Sequence, residues 1–163
     1  MARVELLKEL KSFIEEAVAG IDLPVALQKG DTTADTRPAE VHLMRLPDSA
    51  AAKKVVPYIL LQLVSGNDRQ ESGQRSDSSV TIRFIFATYS ANEEEGAMML
   101  LNLIERVRFM LLRKVVVGRR YALDVEKGLD TFIYADDTAP YYAGEMIGDF
   151  KLPAIEREVS LFG

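Results

Sequence analysis

The residues that most often do chemistry are few and scattered in this chain. It holds no cysteine and a single histidine, His42. Thiolate metal sites, cysteine nucleophiles, multi-histidine metal centres and histidine-based relays therefore lack parts. His42 is expected on a strand face. Acids are more plentiful, and Glu93-Glu94-Glu95 or Asp136-Asp137 would suit a hard cation by type. Adjacent residues on a helix or strand do not converge on one point, however, so the first group reads as a helix start and the second as a turn. A catalytic site would have to be assembled from separated carboxylates such as Asp124, Asp130 and Glu145, which the sequence leaves open. The chain has no GxxxxGK[ST] run, and no GxGxxG follows a strand. The serines of "SGNDRQESGQRSDSS", Ser65 to Ser79, have no base fixed beside them. The expectation is no catalytic residue, no cofactor and no metal.

Cations offer one further candidate. "RKVVVGRR" carries Arg113, Lys114, Arg119 and Arg120 without an acid. A net charge of −5, from 20 Lys and Arg against 25 Asp and Glu, argues against a phosphate backbone as main partner. The run reads more simply as a helix end and an exposed turn, since cations favour helix C-termini. The N-terminus "MARVELLKELKSFIEEAVAG" has charges every few residues and lacks the apolar core of a signal peptide. No stretch approaches the roughly 20 apolar residues that span a bilayer, so no membrane partner is expected and the expected compartment is the cytoplasm.

The elements that must position these groups fit one domain covering residues 1–163. Val4, Leu6, Leu7, Leu10, Phe13, Ile14, Ala17 and Val18 mark one face of a first helix, with Gly20 placed to end it. "LPVALQKG" and "AEVHLMRLP" read as short strands around a polar loop from Gly30 to Pro38. "VVPYILLQLV", Val55 to Val64, is a nearly continuous apolar run suited to a strand covered on both faces. "VTIRFIFATY" alternates, with Val80, Ile82, Phe84 and Phe86 on one side and Thr81, Arg83, Ile85 and Ala87 on the other. The two should pair antiparallel. Ser65–Ser79 between them is then the mobile loop of a hairpin rather than a linker, because both flanks belong to one sheet. Three more strands follow, in "RRYALDVEKG", "LDTFIYADD" and "YYAGEMIGDFKLP", before a loose tail at 154–163. The class is α+β: a single mixed, mainly antiparallel sheet, two long helices packed against it and a long polar hairpin loop.

The second helix is the most informative segment. Asn92 can cap it, Glu93 to Glu95 fill its first turn, and it should run to about Lys114. Ala97, Leu100, Leu103, Ile104, Val107, Met110 and Leu111 form a core stripe at 100° per residue. Met98, Leu101, Phe109 and Leu112 fall outside it, on the side of Asn102, Glu105 and Arg113. A helix apolar on two sides either packs on the first helix or meets another subunit.

The order of "VPYILLQLVSG", a polar hairpin loop, "VTIRFIFATYS", "NEEEGAMMLLNLIERVRFMLLR" and "APYYAGEMIGDFKLPAIERE" resembles the tail terminator (tail completion, minor tail) proteins of bacteriophages and prophages. The likeness covers about Val55 to Glu158 and rests on element order rather than on a diagnostic motif. It implies a structural protein without catalysis: a homo-oligomeric ring, commonly hexameric, that caps the tail tube, ends its polymerisation and presents the head-joining surface. Its implied partners are itself, the tail tube protein and a head–tail connector, in the host cytoplasm during assembly and then in the virion tail. On that reading Met98, Leu101, Phe109 and Leu112 contribute to the subunit interface, and Asp68, Arg69, Glu71, Arg75 and Asp77 of the loop supply partner contacts. A small enzyme using scattered carboxylates and a nucleic-acid accessory protein using Arg113, Lys114, Arg119 and Arg120 are the alternatives.

Overall fold

The computed structural model describes residues 1–26, 35–47, 55–134 and 138–158. The chain order is α1 (Ala2–Val18), β1 (Leu23–Pro24), β2 (Thr36–Arg37), β3 (Glu40–Leu43), β4 (Tyr58–Arg69), β5 (Asp77–Tyr89), α2 (Glu93–Lys114), β6 (Val116–Val117), β7 (Tyr121–Leu123), β8 (Leu129–Ile133) and β9 (Tyr141–Leu152). The fold is α+β. One curled sheet runs β3-β4-β5-β9-β7-β6, with β8 also on β9, while β1 and β2 form a separate two-stranded ribbon. Among the described residues only the β3–β4 pair is parallel, and the other pairings in the sheet are antiparallel.

The alternation read from β5 sets the layering. Val80, Ile82, Phe84 and Phe86 are buried under the helices, as are Ile59 and Leu61 of β4 and Met146 and Phe150 of β9. From α1, Leu6, Leu10, Ile14 and Val18 join the same core, as do Leu100, Leu103, Ile104, Val107 and Leu111 of α2. The core therefore draws on both helices and on strands from both halves of the chain. Ala97, expected in the α2 core stripe, is exposed, and Met110 is only half-buried, because α2 turns these flanks away from the sheet.

Both helices lie on one face, and β4 is covered on two faces, as expected, only around Ile59, Leu60 and Leu61. The other face carries Tyr58, Leu60 and Gln62 of β4, aligned with Ala87, Ile85 and Arg83 of β5 and then with Ala143, Glu145 and Ile147 of β9. Leu60 is nonetheless buried, wedged between the strand positions of His42 and Ile85. At one end of this face a small second cluster gathers Ala26, Val56 and Ala87 with Tyr58, Tyr89 and Tyr141. Arg37 fixes that end. Its guanidinium donates to the carbonyls of Val55 at 2.7 Å, Pro57 at 3.0 Å and Val56 at 3.1 Å.

Two local readings change. Gly20 does not close α1 in a left-handed conformation; the helix is followed by Ala19, still right-handed at φ −56°. The segment expected as a mobile loop at 65–79 is mostly strand. Past a register shift between Leu63 and Ser65, pairing continues from Ser65↔Thr81 to Arg69↔Asp77. Only residues 70–76 form the connecting turn. Beyond Val80 the ladder carries no apolar side chain and is held by other ties: its β5 strand pairs with β9 as far as Ser78↔Leu152, Asp68 accepts from Arg3 at 2.9 Å, and the Ser78 hydroxyl donates to Asp68 across the ladder at 2.7 Å.

Candidate interaction surface

Helix α2 begins where its sequence says it should. The Asn92 side chain accepts from the Glu95 N–H at 3.1 Å, and the Ser90 hydroxyl accepts from the Asn92 N–H at 3.1 Å. The three glutamates occupy the first turn, Arg113 and Lys114 the last, in the charge order the helix dipole favours. Gly96 lets α2 approach β9: a Cβ there would stand 2.2 Å from the Tyr142 ring.

The two flanks of α2 have different neighbours. On one, Phe13 and Ala17 of α1 meet Arg106, Met110 and Lys114 around a shallow cleft, and the Lys114 ammonium sits 5.6 Å from the Phe13 ring. The other flank carries Met98, Leu101, Phe109 and Leu112, which are 60%, 40%, 55% and 38% exposed. Packing on α1, one of the two readings of this stripe, is thereby removed. Arg113 lies 6.0 Å over the Phe109 ring, and Glu105 pairs with Arg108 at 3.2 Å, giving the stripe a charged border.

Next to that flank lies β8. A Cβ on Gly144 would fall 2.9 Å from the Phe132 carbonyl, 3.1 Å from the Ile104 side chain of α2 and 3.4 Å from that of Ile133. Ile133 thus borders α2, while Phe132, opposite Glu145, faces the uncovered side of the sheet. Phe132, Ile133 and Tyr134 are 51%, 49% and 40% exposed. The sequence reading passed over this patch. Its signal was present in "TFIY", an apolar run on a strand with no partner assigned to its outer side.

Of the charged candidates of the hairpin, Asp68, Arg69 and Asp77 have side-chain partners within the chain. Asp68 holds Arg3, and Arg69 faces Asp77 across the ribbon at 3.9 Å. The Glu71 carbonyl accepts from the Gln74 N–H at 3.0 Å to close the turn. Arg75 lines a cleft of about 600 Å³ between the turn and residues 154–157. The tail expected to be loose lies against the hairpin there, where the Ser76 hydroxyl donates to the Ile155 carbonyl at 3.0 Å; residues 159–163 fall outside the described part.

Of the acids proposed for a catalytic site, Asp130 and Glu145 lie on one face of the neighbouring strands β8 and β9. Asp124 accepts from the Lys127 N–H at 3.2 Å and orders a turn. Asp130 sits on β8 opposite Ile147. Glu145 accepts from the Arg83 guanidinium, which holds the Arg83 charge more firmly than usual, with the Tyr134 hydroxyl assisting. Among the described residues no group of three acids or histidines is placed to hold a metal ion. His42 lies on β3 with Glu40 at 3.2 Å. Asp136 and Asp137 fall outside the described residues.

The basic run is dispersed. Arg113 is on Phe109 and Lys114 on Phe13. Arg119 holds a positive φ of 66° in the turn before β7, and Arg120 approaches Glu5 at 3.7 Å. Glu5 also accepts from the buried Tyr121 hydroxyl at 2.8 Å. That bond is the chief cause holding the Glu5 carboxyl below its ordinary range. Burial first, then the Glu5 carboxylate, pushes Tyr121 up. Both shifts favour a neutral phenol donating to an ionised acid, an arrangement that ties α1 to β7.

No protein-family model matches the chain, and no curated protein matches it in sequence.

Proposed function

We propose that this chain is the subunit of a homo-oligomeric ring of the phage or prophage tail terminator type, with assembly rather than catalysis as its role. The observation that carries the reading is the outer flank of α2, where four large apolar side chains stand uncovered on a helix whose other sides are already packed. Leaving such a stripe in water is unfavourable, and covering it by another subunit removes the cost. A ring needs a heterologous contact whose rotation closes, and a stripe confined to one edge of the subunit suits such a contact. The resemblance in element order supplies the rest of the proposal: a hexameric ring, with the tail tube protein on one rim and a head–tail connector on the other. The hairpin, reaching out as a paired ribbon, is the element offered to the tube. Assembly would take place in the host cytoplasm, ending in the virion tail.

Negative-stain electron microscopy of the purified protein tests this, with light scattering to give the mass. Rings with a central hole about as wide as a tail tube are expected. A particle of single-subunit mass at high concentration would refute it.

A further inference from the structure

We infer that neighbouring copies join by strand addition: the outer edge of β8 in one subunit pairs antiparallel with the outer edge of β3 in the next. The inference rests on the ring reading above and specifies its joint.

The edge of β8 is open. The Tyr134 N–H donates to the Ala143 carbonyl at 3.1 Å, which fixes the alternation of the antiparallel ladder. Phe132 and Asp130 turn their backbone groups to β9, whereas Leu129, Thr131 and Ile133 turn theirs outward, with no partner strand among the described residues. Edge strands are normally guarded by lysine, proline, a bulge or a covering element. β8, "LDTFI", has no lysine and no proline, and it exposes its aromatic and branched side chains.

The opposite edge of the same sheet is β3. There the Glu40 N–H donates to Pro57 at 3.2 Å and the Met44 N–H to Leu61 at 2.7 Å. The alternate residues, Val41 and Leu43, therefore point their N–H groups away from β4. Beside this edge α1 leaves a groove of about 370 Å³ lined by Lys11, Glu15, Glu40, Val41 and His42.

Polarity makes the match specific. β3 runs with β4, β5 against them, β9 with them again, and β8 against. In a ring whose axis runs along the strands, rotation preserves direction, and β8 meets the next β3 antiparallel. The contact is head to tail and repeats. Charge does not decide the match, being mixed on both sides: Asp130, Glu94 and Glu105 stand with Arg108 and Arg113 on the β8–α2 side, and Lys8 and Lys11 with Glu15 and Glu40 on the α1–β3 side. Spacing agrees with the polarity. α1 lies over β3 and β4 and also reaches β6 of the curled sheet, and α2 lies over β5 and β9. Across the joint α2 and the next α1 would stand about three strand spacings apart, ~14 Å, rather than the ~10 Å within a subunit. Met98, Leu101, Phe109 and Leu112 fill that wider gap, with the lysine stems of α1 opposite them.

Two variants of the full chain test the joint. Thr131→Pro removes an outward N–H of β8 and no bond to β9, so the subunit should melt as before while the ring peak is lost in gel filtration. Because the chain has no cysteine, Asp130→Cys with His42→Cys supplies the only thiols. A flexible bismaleimide should then give a ladder of covalent oligomers ending at ring size. Each single variant should stay uncross-linked with itself, and an equal mixture of the two should stop at dimers. Rings that survive Thr131→Pro, rings whose double-cysteine form stays uncross-linked, or single variants that dimerise with themselves overturn the strand joint and leave the ring standing. A protein that is a monomer at every concentration overturns both.

Discussion

On the proposed ring, replacing Phe109 by Glu is expected to dissolve the assembly while leaving the subunit folded. The exposed fractions of Met98, Leu101, Phe109 and Leu112 amount together to about two whole apolar side chains. At about 1.5–3 kcal/mol for each side chain fully buried, covering them contributes ~3–6 kcal/mol to each subunit contact. Phe109, a little over half exposed, accounts for ~1–1.5 kcal/mol of that. A carboxylate in its place must also be stripped of water, which costs a further few kcal/mol. The sum is at least ~3 kcal/mol per contact, or about a hundredfold in its dissociation constant. Within the subunit the change is mild. The lost stacking of Arg113 on the ring is offset by an ion pair between the new carboxylate and Arg113 at i,i+4, in the favourable orientation. Subunit stability should move by no more than ~0.5 kcal/mol. Light scattering across a concentration series reads the first effect and thermal melting by circular dichroism the second. If the substitution unfolds the subunit, the α2 flank belongs to the core after all; if the assembly is untouched, the stripe does not lie between subunits.

Gly96→Ala, which in an open helix would gain up to ~1 kcal/mol, should instead cost ~1–3 kcal/mol, because the added methyl meets the Tyr142 ring; a raised melting temperature would contradict this. Arg37→Ala should cost ~2–3 kcal/mol in chemical denaturation by freeing the carbonyls of Val55, Val56 and Pro57 at once. Arg37→Lys should recover only part of it, since an ammonium lacks the guanidinium fork, and full recovery would show that charge alone suffices. Replacing residues 70–76 by a two-residue turn should change stability by less than ~1 kcal/mol. Cutting back to Gly66–Ser78 should cost more, because it also removes the Asp68 bonds to Arg3 and Ser78. Equal melting of the two deletions would show that the ribbon contributes nothing to the fold.

The strongest periodic signals in the sequence read true. Both helices and the β4–β5 hairpin follow from apolar spacing, and the α2 boundary follows from Asn92 and the glutamates after it. The exposure of Met98, Leu101, Phe109 and Leu112 could be posed from the helical wheel but not decided, since the choice turned on which flank α1 occupies. Long-range polar ties left no local trace. Arg37 looks like any loop arginine until three carbonyls from 55–57 surround it. The hairpin reads as a loop because composition says nothing about Arg3 reaching Asp68. The open edge of β8 is likewise a property of strand order, and strand order is set by pairings between residues distant in the chain.

The bond between Tyr121 and Glu5 closes a span of 116 residues, and the Arg3–Asp68 contact spans 65. Helix α1 is made before the other elements of this fold, yet its binding surface is completed only after β7 has been made. Until then the part of α1 around Glu5 has no permanent partner, although β3, β4 and α2 already cover the rest of its apolar face, so completion of the core waits for β7. Nascent chains on polysomes should accordingly be the form most dependent on chaperones.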